Sequence, residues 1–325
     1  MELNLPDSLY EDYSQLTPTW SSSGASSSST PVMITTALPP PPPNVDMIFR
    51  WIIDLHDPRH FVSGFALQNL ADHLINKNDI EILPLLLWDS PGVVSMLLGE
   101  VVRAYRYIRF PVFSLHQMSM RVYNVLLLFQ CIAHHPETKT RFLRAKMPHY
   151  FYPLMDIGYP DKPFEMLRLG ALGVIAHLLK AVHPVDADVV RFLMDTSALG
   201  HCTTAVEVGT SESKILAVFI LHKIMSTNEG LQYCCVLVDR FLAIDDLLKL
   251  VLVYLSTMNR PSLTLFNLVA ACYARLSQKS RALVSLRRYP PVMLLDGPFA
   301  SLLAEDPSTD NFRRQLIENL ENKEI

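Results

Sequence analysis

Four long apolar stretches, residues 115–134, 164–181, 212–226 and 262–277, leave this chain few folds to choose from. Each spans several helical turns and is apolar nearly all round, the pattern of a helix sandwiched between neighbours. A polar break follows each, usually with a shorter helix behind it. Gln130-Cys131-Ile132 leads to Arg141-Phe142-Leu143 as His177-Leu178-Leu179 leads to Arg191-Phe192-Leu193. Gln130, His177 and His222 hold the same relative place, at steps of 47 and 45 residues.

That step matches a HEAT or armadillo unit of roughly 40–47 residues. The spacing therefore predicts an all-α, armadillo-like repeat superhelix, in which stacked units bury their apolar faces and the long helix of each lines a concave side. Helix starts are predicted where a capping residue precedes proline: Ser90-Pro91, His135-Pro136-Glu137, Lys162-Pro163-Phe164-Glu165, Arg260-Pro261 and Asp306-Pro307. Proline suits the first helical position because its missing N–H would be unpaired there anyway. Ser114 with Gln117 reads as a capping box. The pattern runs from Val45 to the C-terminus, so residues 45–325 are read as the repeat domain.

Residues 1–44 differ. Serines crowd Ser21 to Ser29, and Pro39 to Pro43 form an unbroken run. Such a composition buries too little apolar surface to offset its ordering entropy, which predicts a disordered tail ending in a polyproline II spacer. Its start is acidic (Glu2, Asp7, Glu11, Asp12) and does not read as a signal peptide. The best membrane-span candidate, Ile82 to Leu98, is broken by Asp89, Ser90, Pro91 and Gly92, so a soluble, intracellular protein without membrane contact is expected.

Little in the chain suggests chemistry. Cys131, Cys202, Cys234, Cys235 and Cys272 form no C-x-x-C pair and read as buried apolar residues in a reducing compartment. His134 and His135 are adjacent, point about 100° apart on a helix and cannot share a metal; they read as a helix end. His177 and His222 read as interior or groove-lining polar groups. Gly170 and Gly173 lie within a helix and form no phosphate loop; small residues there let a neighbour approach. Asp245-Asp246 is read as opening or interrupting a helix, without a paired base. No G-x-S-x-G, H-E-x-x-H or Walker loop occurs. The expectation is a non-enzyme with no catalytic residue, cofactor or metal. Arg103, Tyr105, Arg106, Tyr107 and Arg109 form a basic-aromatic cluster that could meet single-stranded nucleic acid, but a solvated helix end is the preferred reading. The formal net charge of -4 supplies no bulk attraction to nucleic acid.

One resemblance is specific. His116-Gln117, Arg121-Val122, Asn124, Gln130-Cys131, His135-Pro136-Glu137-Thr138, Tyr152-Pro153, Pro163-Phe164-Glu165, Leu167-Arg168-Leu169 and Leu172-Gly173-Val174-Ile175 occur in order. So do Ser213-Lys214, Phe219-Ile220-Leu221, Lys223-Ile224, Gly230-Leu231, Arg240-Phe241, Cys272-Tyr273 and Arg275-Leu276-Ser277. Together they resemble the "required for cell differentiation" family, subunit nine of the Ccr–Not mRNA deadenylase complex, over about Val45 to Leu320.

The resemblance implies a non-catalytic adaptor that docks on the large Not scaffold subunit and receives short peptides of translational repressors, in mRNA decay and in translational and transcriptional regulation. It implies residence in the cytoplasm, including mRNA-decay bodies, and in the nucleus. The scaffold-docking motif corresponds to Trp88, Asp89, Ser90, Pro91 and Gly92, with Asp89 and Pro91 replacing a family His and Phe. The peptide groove corresponds to Met166 (a Tyr in the family), Gly173 and Leu216 (a Val). The tryptophan-accepting pocket corresponds to Val238 (a Tyr), Arg240, and Thr264 and Ser280, which replace arginines. The alternative reading is a nucleic-acid-binding helical repeat. Weak nucleic-acid binding and a second copy of the chain stay open as further partners.

Overall fold

A computed structural model describes residues 45–77, 81–109, 115–180 and 186–322; residues 1–44, read as the tail, and the cap at Ser114 lie outside the described residues. The chain divides into two compact units, one ending at Asp79 and one starting at Ile80. In the first, α1 (Val45–Asp54) and α2 (His60–Lys77) pack together. Ile48, Ile52 and Leu55 of this unit are buried, as are Leu67 and Leu70.

The second unit is a run of helices in threes. It opens with α3 (Leu83–Asp89), α4 (Val93–Arg109) and α5 (Leu115–His134). Then come α6 (Pro136–Arg144), α7 (Tyr152–Met155) and α8 (Lys162–Leu179), followed by α9 (Ala187–Asp195), α10 (Thr203–Val208) and α11 (Ser211–Ser226). The last are α12 (Asn228–Val236), α13 (Val238–Thr257), α14 (Leu263–Leu276), α15 (Ser280–Arg288), α16 (Val292–Asp296), α17 (Ala300–Glu305) and α18 (Pro307–Glu321). The described residues contain no strand. Each long helix packs on the next of its kind: α5 on α8, α8 on α11, α11 on α14, and α14 on α18. After α5, α8, α11 and α14 comes a helix of 9 residues, namely α6, α9, α12 and α15. Of these, α9 packs on α12 and α12 on α15. The result is a layered, armadillo-like stack with the long helices as its spine.

The four apolar stretches all appear as helices. Several of their starts differ from the proline rule. His135 and Asp306 do cap helices with proline next, and the Asp306 side chain accepts from Ser308 N. At α8 the cap is Asp161, one residue earlier than read, so Pro163 takes the second helical position. At α14 the cap is Ser262, whose side chain accepts from Leu265 N; Pro261 stands just outside. Pro91 lies in the turn before α4, which begins at Val93. The acidic pair Asp245-Asp246 neither opens nor interrupts a helix. It lies within the 20-residue α13. Asp245 is buried there and accepts from Tyr273 Oη at 3.0 Å and Lys249 Nζ at 2.7 Å, so its charge is compensated and the helix runs on.

Two seams of the spine are visibly fastened. The Gly170 backbone lies so close to α5 that a Cβ there would stand 2.7 Å from Leu126 Cδ1. Gln130 Nε2 donates to Gly170 O at 3.0 Å across the same seam. Arg275 of α14 donates to the carbonyls of Met225 and Ser226 at 3.1 and 3.2 Å. These are carbonyls at the end of α11, which has no helical partners to offer them.

Among the described residues no single helix is long and apolar enough to cross a membrane. The pair α3 and α4 is bent by 88° at the break the sequence marks. Its apolar side chains Leu83, Leu87, Val93, Leu97 and Val101 are buried in the protein.

Candidate functional site

Burial leaves one stripe of each spine helix open. Past its first turn, α8 reaches solvent only at Leu169 and His177, with Gly173 midway between them. A spacing of four residues keeps these three on one face. Met166 continues the stripe but is only 5% exposed. On α11 the part-exposed residues are Ser211, Glu212, Ile215 and Lys223, and Phe219 falls on the Ile215–Lys223 line. Leu216, 6% exposed, flanks that line. Because α8 packs on α11, the resemblance's groove residues Met166, Gly173 and Leu216 sit on two neighbouring helices, around this stripe and mostly beneath its surface.

The C-terminal rim of this face is crowded with nitrogen. The His134 and His177 rings meet edge-on at 5.9 Å, tying α5 to α8. His177 Nδ1 donates to Gly173 O at 2.8 Å. Burial pushes the His177 pKa down to about 3 and that of His134 to about 4, and Lys180 lowers both further. His222 is buried on α11, and burial pushes it down to about 3, helped by Lys223 and Arg275. All three imidazoles are therefore neutral at pH 7. The charges that act on them are all cationic. Lys223 lies over the Phe219 ring, 5.4 Å from its centroid, and burial lowers its pKa too.

Of the residues assigned to an aromatic pocket, Arg240 and Ser280 line two different cavities. Arg240 stacks on Tyr233, 3.6 Å from the ring centroid, and donates to Tyr233 O at 2.6 Å. Both line a cavity of about 240 Å³ with Cys202, Leu221, Ile244 and Leu247. Val238, the first residue of α13, is 68% exposed. Ser280 lines a second cavity, also about 240 Å³, with Gln232, Cys235, Val236, Lys279 and Arg281. Thr264, on the first turn of α14, lines neither. Sequence reasoning missed Tyr233, Lys279 and Arg281. A basic residue on either side of Ser280 was the available signal.

The motif Trp88 to Gly92 forms the corner between α3 and α4. Gly92 takes a positive φ of 81°, a left-handed conformation that any side chain would strain. The Trp88 ring packs 6.3 Å from Phe142, and the Arg141 guanidinium lies 6.0 Å from its centroid. Arg141 also donates to Asp89 at 2.5 Å, so α6 braces the corner. Ser90 bonds back to Leu86 O, while Pro91 and Gly92 are exposed.

Among the described residues no group of three His, Cys, Asp or Glu side chains could hold a metal. The five cysteines are free and buried, and burial pushes the Cys202 and Cys234 thiols up to about 12. A thiol at that pKa is a poor nucleophile. The basic-aromatic end of α4 is partly folded into the protein: Tyr105 Oη donates to Tyr150 O at 2.5 Å and Arg103 pairs with Glu100 at 3.0 Å.

The sequence that builds this spine matches a known family. The model of the cell differentiation family, Rcd1-like, matches residues 51–320. This chain belongs to that family. It is 37% identical over 275 residues to the cell differentiation protein rcd1 of Schizosaccharomyces pombe, covering 84% of this chain and 93% of that one. It is 36% identical over 235 residues to the protein CAF40 of Saccharomyces cerevisiae, covering 72% of this chain and 62% of that one. Among solved structures, a designed armadillo repeat protein superposes with a TM-score of 0.58 at 14% identity, over 83% of this chain and 98% of that one. Another, in complex with the peptide (KR)4, superposes with a TM-score of 0.57 at 15% identity, over 83% and 98%. At such identities the likeness shows the armadillo fold alone.

Proposed function

We propose that this Rcd1-like chain is a non-catalytic adaptor of the Ccr–Not deadenylase complex, acting in mRNA decay and translational repression. It docks on the Not scaffold through the Trp88–Gly92 corner and takes short repressor peptides on the open stripe of its spine helices. The observation that carries the reading is the placement of Gly173 between Leu169 and His177, on the one face of α8 that reaches solvent. Gly173 is itself buried, and a residue without a side chain lets a peptide backbone come close there, with Leu169 and Ile215 as apolar contacts on either side. The corner supports docking because Arg141 and Phe142 hold Trp88 and Asp89 rigidly while Pro91 and Gly92 stay open. Family membership supports the assignment to the complex; residence in cytoplasm and nucleus is proposed along with it.

The test is purification of the tagged chain from its own cells, with partners identified, for the wild type and for two variants. Gly173→Trp should lose repressor peptides and keep the scaffold. Trp88→Ala with Pro91→Ala should weaken scaffold capture and spare the peptides. Retention of every partner by both variants refutes the reading. Steeply salt-dependent binding of single-stranded RNA by the wild type, lost in Gly173→Trp, replaces the adaptor with a nucleic-acid-binding repeat.

A further inference from the structure

The open face has an electrostatic direction. On α11 the stripe begins at Glu212 and ends at Lys223, roughly 16 Å along the helix, with Ile215 and Phe219 between. At the C-terminal ends of these packed helices stand Lys180 just past α8, Lys223 on α11 and Arg275 on α14; Lys180 acts on His177, and Lys223 and Arg275 act on His222. Arg275 is anchored, since its guanidinium caps the carbonyls of Met225 and Ser226 and donates to Gln278 Oε1 at 2.6 Å, so it adds positive charge to this end from a fixed position. Among the described residues no carboxylate pairs with Lys223, whose ammonium lies over the Phe219 ring. A half-buried ammonium that has surrendered water without gaining a counter-charge is costly to hold and is repaid when an anion arrives. The adjacent histidines offer no relief, because His134, His177 and His222 are neutral and cannot act as anions.

We infer that the groove is built for an acidic peptide, whose carboxylates face the rim formed by Lys180, Lys223 and Arg275 while an apolar side chain rests on Leu169 and Ile215 beside Gly173. This rests on the groove reading above and adds the class of its partner. A nucleic acid fits the same rim less well. Its bases need exposed rings to stack on, and the ring nearest Lys223, Phe219, is only 3% exposed. The one part-exposed ring of the α8 stripe is the small His177 imidazole, beside the aliphatic Leu169 and Ile215, and Glu212 lies at the opposite edge, where a second row of phosphates would meet a carboxylate. Charge complementarity of this kind selects partners and sets the approach more than it sets raw affinity.

Selection of displayed random short peptides against the full chain tests this directly. Peptides enriched on the wild type should carry acidic residues flanking an apolar one, and replacing those acids by Gln or Asn should weaken binding about tenfold. Lys223→Met should weaken the acidic peptide about tenfold and leave its Gln form unchanged, while Lys223→Arg should retain binding. The inference fails if the enriched peptides are neutral or basic, if Lys223→Met binds the acidic peptide as the wild type does, or if an oligouridine binds more tightly and displaces it. The underlying groove reading fails separately, on a different result. That result is Gly173→Trp, shown folded by circular dichroism, still binding the enriched peptides, or no peptide being enriched at all.

Discussion

Glu165 Oε1 accepts a hydrogen bond from Ser213 Oγ at 2.7 Å, and through it one repeat grips the start of the next. The same oxygen accepts from Thr210 N and Thr210 Oγ1, at the cap of α11. The other carboxylate oxygen accepts from Arg168 Nη1 at 2.7 Å. Arg168 is fully buried, and its Nε and Nη2 donate to Ile157 O and Tyr159 O. All three nitrogens of the guanidinium and both oxygens of the carboxylate are engaged, the condition under which a buried ion pair can be held.

Removing one partner strands the other. Glu165→Leu leaves the Arg168 guanidinium buried without its anion and frees the α11 cap at once. It should cost about 3–5 kcal/mol. Replacing both, as Glu165→Leu with Arg168→Met, should cost less than Glu165→Leu alone, because no buried charge is left. Urea unfolding of the two variants measures this; a double variant as unstable as the single one would show that the hydrogen bonds matter more than the charge.

The α5–α8 seam makes a second prediction. At Gly170 an added Cβ would stand 2.7 Å from Leu126 Cδ1 and 3.1 Å from Leu126 Cβ. The second contact is to the root of the side chain and cannot be relieved by a rotamer change. Overpacking of this kind costs about 1–3 kcal/mol, against a gain of up to about 1 kcal/mol from replacing glycine in a helix. Gly170→Ala should therefore lower the melting temperature by a few degrees. An unchanged or higher value would mean the two helices are not in contact in solution.

Much of this spine was legible in the sequence because buried helices leave long apolar runs whose ends are marked by caps and prolines. The longest miss is α13. Asp245-Asp246 breaks its apolar pattern, and only the fold reveals that Tyr273, 28 residues on, supplies a hydrogen bond to Asp245. The proline rule misplaced the starts of α8 and α14 by small shifts, since proline is tolerated at several positions near a helix start. At the candidate site, Gly173 and Leu216 are named by the resemblance alone. Lys223 lay among the resemblance's residues without a role, because its lack of a counter-charge is a property of three dimensions. The cavity beside Ser280 was invisible for the same reason: Gln232 and Cys235 are far from it in sequence.

Acid should weaken the repeat unit through His222. Its folded pKa is about 3, with burial as the main cause, whereas the unfolded imidazole titrates near 6.5. Between those values the unfolded chain binds the extra proton, so stability is complete above about pH 6.5 and is lost as pH falls toward about pH 3. At pH 5 this one group costs about 2 kcal/mol. His177, lowered to about 3, acts in the same direction. Denaturant unfolding at pH 7 and pH 5 should show the loss, and His222→Leu should reduce it. A variant with the wild type's full pH dependence would show that His222 finds a proton acceptor or water when folded.

The cavity beside Ser280 makes the last prediction. Arg240 is committed to the protein: its guanidinium stacks on Tyr233 and bonds the Tyr233 carbonyl. It cannot offer both faces to an incoming ring. Lys279 and Arg281 line the neighbouring cavity, and Arg281 makes only one long bond, 3.4 Å, to Val236 O. An indole entering there would meet Val236 and the Cys235 side as apolar wall and Arg281 as cation. A cation–π contact is worth roughly 0.5–2 kcal/mol, so Arg281→Ala should weaken a tryptophan-containing peptide by a few-fold to about thirtyfold. Arg240→Ala should instead lower stability, by removing the stack on Tyr233, before it alters peptide affinity. Titration of both variants with one tryptophan peptide and with its Trp→Ala form separates these effects. Equal affinity for the two peptides would show that neither cavity receives an indole; loss of affinity in Arg240→Ala at unchanged melting temperature would move the ring to the cavity lined by Tyr233 and Ile244.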